Sequence, residues 1–174
     1  MRRVCALVIG LLFLPVPALA TPDSAVTACA IAAAPPALVE TLVNEALDDT
    51  IAPPGRETVD AVQALTVPCL EGRNLAERDL AMLGGYTMEA ITRDGIRRRL
   101  EAGGWSVAPL DKLMARLDGP LLGLDGPESK SLDKATDKAI AKARGKVAPD
   151  AQLDKAARVY MSLTNLMRLI ERHL

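Results

Sequence analysis

Aromatic side chains are nearly missing from this sequence: two tyrosines, one tryptophan and one phenylalanine in 174 residues. Flat π surfaces build sugar-stacking and base-stacking sites, so both classes lose support. The shortage also disfavours β-structure, because strands select aromatic and β-branched residues while alanine and leucine favour helices. Histidine is scarce too. The single one, His173, stands at the end of a helical pattern, where it suits the negative end of a helix dipole. Any Ser-His-Asp triad or histidine-based metal site would have to use it. No H-E-x-x-H, G-x-S-x-G or phosphate-loop pattern occurs. Asp118, Asp125 and Glu128 lack the alternate donor spacing of a calcium loop. No catalytic residue, cofactor or metal site is therefore assigned.

A long apolar run is also missing. Val4–Leu14 is uncharged and apolar for eleven residues, short of the roughly 20 that span a bilayer. Arg2-Arg3 precede it; Pro15, Pro17 and Ala18-Leu19-Ala20 follow. Basic start, apolar centre and small-x-small ending make the pattern of a secretory signal peptide. Residues 1–20 are expected to be cleaved, leaving residues 21–174 as one helical domain without a transmembrane span, periplasmic or secreted. The alternative is a lipoprotein acylated at Cys29, because Val26-Thr27-Ala28-Cys29 has the form of a weak lipobox. Fourteen residues, with the charge of Asp23 among them, separate Cys29 from Leu14, which argues against it.

Cleavage removes Cys5 and leaves Cys29 and Cys69. In an oxidising compartment two cysteines most simply form one disulfide. Without C-x-x-C spacing or a neighbouring histidine, a redox or metal pair has little basis.

What is present is helical periodicity, and the spacing predicts an all-α, compact irregular bundle of six or seven helices. Pro35-Pro36 opens a helix carrying Leu38, Val39, Leu42, Val43 and Leu47 at 3–4 spacing. Val59, Val62 and Leu65 mark another, stopped at Pro68. Asn74 and Glu77 have capping-box form ahead of a third, expected to end at Gly84-Gly85. Met88 to Leu100 make a fourth, with a kink or break at Asp94-Gly95. Pro109 starts a fifth. Two Asp-Gly-Pro units place an exposed loop at 118–129. Lys130, Lys134, Lys138, Lys142 and Lys146 recur every four residues on a helix with only a narrow apolar edge. Asp150 caps a long C-terminal helix, central or longest, with the stripe Leu153, Ala157, Tyr160, Leu163, Met167, Ile170 and Leu174.

Charge is unevenly spread. Residues 21–84 carry 3 basic and 10 acidic groups, net −7; residues 85–174 carry 16 and 12, net +4. Arg93, Arg97, Arg98 and Glu101 form the candidate anion-binding group, since guanidiniums suit carboxylate or phosphate. The competing reading is a solvated face paired with the acidic half. The lysine ladder is a second polyanion candidate, weakened by its interleaved aspartates. The expected function is an exported, non-enzymatic binding or interaction protein whose partner is another protein or an anionic envelope component, not nucleic acid. The alternative is a small helical enzyme, a mutase-like isomerase working through an Arg/Glu electrostatic pocket.

Overall fold

The computed structural model describes residues 24–48, 54–70, 72, 77–117 and 127–173. The expected signal peptide, the Asn74 cap, the Asp-Gly-Pro turns before Pro127 and Leu174 lie outside these residues. Among the described residues the fold is all-α. Its helices are α1 (Ser24–Ala33), α2 (Pro36–Leu47), α3 (Arg56–Thr66), α4 (Glu77–Ala102), α5 (Ala108–Met114), α6 (Pro127–Arg144) and α7 (Ala151–His173). A short 3-10 turn, Val67–Leu70, continues α3 through Pro68.

The number of helices matches the expectation, but by a different division. α1 precedes Pro35-Pro36, where no helix was expected. Its ten residues are alanine-rich with little amphipathic signal, and so short a helix is marginal in isolation. It is held instead by packing and by the Cys29–Cys69 disulfide, whose Cα atoms lie 5.9 Å apart. The two helices expected on either side of Gly84-Gly85 are one, and Asp94-Gly95 does not break it. α4 runs 26 residues and is longer than α7 at 23. Glycine disfavours helix by about 1 kcal/mol relative to alanine, yet α4 is held by its neighbours. α1, α2, α3 and α7 all pack against it.

The main core joins five helices. Val43 and Leu47 of α2 meet Ile96 and Leu100 of α4, with Leu110, Met114, Ile140, Ala157 and Met161 from α5, α6 and α7. Trp105, after α4, is buried among them. A second cluster surrounds the disulfide: Val26, Ala30, Leu70 and Leu83. Three buried threonines answer their hydroxyls locally. Thr66, Thr92 and Thr164 each donate to the carbonyl four residues earlier, at 2.8 Å.

Within α7 the buried face is Ala156, Ala157, Tyr160, Met161, Thr164 and Met167. The expected stripe is thus rotated slightly: Leu163 is half-buried and Met161 takes the interior. Asp150 caps α7 as expected, its Oδ1 accepting from the backbone N–H groups of Gln152 at 2.8 Å and Leu153 at 3.1 Å. Among its described side chains α6 buries Thr136, Ala139, Ile140 and Ala143, the narrow edge its composition implied. No single helix among the described residues is long and apolar enough to cross a membrane.

Candidate functional site

The arginine group divides three ways on α4. Arg97 lies between two carboxylates, 2.6 Å from Asp94 Oδ1 and 2.8 Å from Glu101 Oε2. Arg98 takes the other Asp94 oxygen at 2.5 Å. Burial alone would raise the Asp94 carboxyl, but the Arg97 and Arg98 guanidiniums outweigh it and hold Asp94 below its ordinary range. Asp94 in turn holds Arg97 above its ordinary value against desolvation, with Glu101 adding to the effect. Two cations are thus met by two anions at i,i+3 and i,i+4 spacing on a partly exposed face. Asp94 was not among the sequence candidates, although its spacing to Arg97 and Arg98 was readable.

Arg98 and Arg99 also line a groove of about 370 Å³ between α2 and α4, floored by Val39, Val43 and Gly95, with Glu40 on its wall. Arg99 donates to Asn44 Oδ1 at 3.4 Å. Arg93 does not line this groove. It is half-buried and close to two tyrosines whose hydroxyls donate to acids: Tyr86 to Glu171, and Tyr160 to Asp111 at 2.8 Å. Burial, then the hydrogen bond and charge of its acid, push the Tyr160 phenol up to about 12, against the opposing pull of Arg93. The same causes raise Tyr86 further. Of the four candidate residues, Arg98 lines the α2–α4 groove and Arg93, Arg97 and Glu101 do not.

A different set of cations does converge. α5 and α6 pack against each other, tied where α5 begins by the Ser106 N–H donating to the Ala143 carbonyl at 2.9 Å. Between them runs a groove of about 580 Å³, within the roughly 300–1,000 Å³ range of small-molecule sites. Lys112 and Arg116 of the α5 side face Lys138 and Lys142 of α6 across it, each pair one helical turn apart. Among the described residues no carboxylate lines it. None of the four cations has a hydrogen-bond or ion-pair partner among the described residues. Pro109, Leu113, Ala135 and Ala139 supply its apolar lining.

One of the two aspartates interleaved in the lysine ladder is drawn off. Asp137 binds Arg158 of α7 at 2.7 Å, and Asp111 accepts from Tyr160 of α7. Asp133 does not line the groove. The Lys138–Lys142 half of this arrangement was legible as part of the ladder. Lys112 and Arg116 were not singled out, because their relevance depends on α5 packing against α6. Among the described residues no three His, Cys, Asp or Glu side chains form a metal-binding group. No known protein family, curated protein or solved structure matches the chain.

Proposed function

We propose that this chain is an exported, non-enzymatic binding protein that takes an anionic component of the cell envelope in the α5–α6 groove. One observation carries the reading: Lys112, Arg116, Lys138 and Lys142 surround a groove that no carboxylate lines among the described residues. Like charges brought together repel, and a bound anion relieves that repulsion while gaining charge-assisted hydrogen bonds. Arg97 and Arg98, already matched by Asp94 and Glu101, have less to gain. Export follows from the N-terminal pattern of Arg2-Arg3, Val4–Leu14 and Ala18-Leu19-Ala20. A Cys29 sulfur bonded to Cys69 has no thiol left to acylate, so the reading sets lipid attachment aside.

Calorimetric titration with anions tests it, using inorganic pyrophosphate and dodecyl phosphate as probes. At least one should bind, more weakly as salt rises. The double change Lys138→Gln with Lys142→Gln should weaken binding about tenfold or more, a loss of about 1.4 kcal/mol. Arg97→Gln with Arg98→Gln should leave it unchanged. Loss in the arginine variant alone would move the site to α4. Failure of the wild type to bind either probe would end the proposal.

A further inference from the structure

The α5–α6 groove has two chemistries at two depths. Lys112, Arg116, Lys138 and Lys142 are exposed, while Leu113 is half-buried and Ala139 is buried. Cations therefore stand on the rim and apolar carbon lies on the floor. Lysine and arginine stems extend the apolar walls upward while their charged heads stay in water. An all-polar anion held at the rim would leave the floor wet and gain nothing from it. A neutral apolar ligand would fill the floor and leave four cations facing one another.

We infer that the groove takes an anionic amphiphile, specifically a single-chain lipid bearing a phosphomonoester head. This rests on the anion-binding reading above and narrows it. A phosphomonoester carries about −1.5 to −2 charges and three acceptor oxygens at neutral pH, which suits several cations better than one carboxylate does. Arg116 offers a planar fork for two of those oxygens, and the lysines act as point charges. The lipid chain lies along Leu113 and Ala139, where each methylene taken out of water adds to the affinity. Size favours this occupant over a protein helix. A helix about 10 Å across would fill 580 Å³ with little more than one turn.

Three probes separate head from tail: dodecyl phosphate below its micelle concentration, inorganic pyrophosphate, and dodecyl maltoside. Calorimetry gives the affinities. Fluorescence of Trp105, the chain's only tryptophan and one residue before the groove-lining Ser106, gives an independent signal. Dodecyl phosphate should bind at least about tenfold tighter than either other probe. Lys138→Gln with Lys142→Gln should weaken it about tenfold, and both side chains are exposed, so folding is preserved. Leu113→Gln should weaken dodecyl phosphate and leave pyrophosphate unchanged. Pyrophosphate binding as tightly as dodecyl phosphate would overturn the lipid inference and leave the anion reading standing. Dodecyl maltoside binding as tightly would overturn it from the other side. Binding by none of the three would remove both.

Discussion

Tyr86 and Tyr160 are the only tyrosines, and each places a buried ring against the interior while its hydroxyl reaches an acid on another helix. A phenolate in either place would face a carboxylate across a hydrogen bond that has lost its proton. Both phenols are raised, so the folded state binds these protons more tightly than the unfolded chain. The stability they contribute is fully present below about pH 10, the unfolded tyrosine value, and is lost as pH rises through about 12 for Tyr160. Ultraviolet titration reads these two residues alone. The folded protein should show no phenolate step near pH 10, and the denatured chain should show both. Tyr160→Phe should cost about 0.5–1.5 kcal/mol in denaturant melts, the usual net worth of one hydrogen bond. An ordinary step near pH 10 in the folded protein would refute both contacts. Sequence placed Tyr160 on a buried stripe, but not its partner, because Asp111 lies 49 positions away. The same limit applies to the arginines: their density is local information, whereas what each one meets beyond its own helix depends on which helices flank α4.

Three glycines inside α4 separate propensity from packing. Gly84 and Gly85 have open space where a Cβ would project, so nothing in their surroundings requires glycine. A Cβ on Gly95 would lie 2.6 Å from Val39 Cγ1 and 2.7 Å from Val43 Cγ2, because α2 crosses closely there. Gly84→Ala and Gly85→Ala should each stabilise by about 0.5–1 kcal/mol. Gly95→Ala gains the same propensity but must displace two branched side chains, and overpacking costs about 1–3 kcal/mol. It should be destabilising on balance, with the α2–α4 contact as the part that loosens. Equal gains at all three positions in thermal melts would contradict the close approach. These glycines also explain why two expected helices proved to be one. A glycine read in isolation is a stop signal, and nothing local distinguishes an ending from a helix held by neighbours. The long repeats in α2, α6 and α7 were legible because their apolar residues recur on one face. α1 was not, since its alanines fit any face and its retention depends on Cys69, 40 positions onward.

Cohesion in the molecule is divided between a covalent link at one side and a side-chain core at the other. The Cys29–Cys69 bond and the cluster of Val26, Ala30, Leu70 and Leu83 hold α1 to the turn after α3 and to α4. The larger core joins α2, α4, α5, α6 and α7 and contains no cysteine. Closing a loop of about 40 residues removes enough unfolded-state entropy to supply roughly 4 kcal/mol, a large share of the 5–15 kcal/mol typical of a domain. Reduction should therefore act unevenly. Cys29→Ser with Cys69→Ser should lower global stability by about 2–4 kcal/mol in denaturant melts. Hydrogen exchange should quicken first in α1, a helix too short to persist alone. Without denaturant, Trp105 fluorescence should stay native-like, because it sits in the larger core with residues of α2, the C-terminal part of α4, α5, α6 and α7. Anion binding at Lys138 and Lys142 should survive for the same reason. Uniform acceleration of exchange through α5, α6 and α7, with the Trp105 signal lost, would show instead that the disulfide holds the whole core.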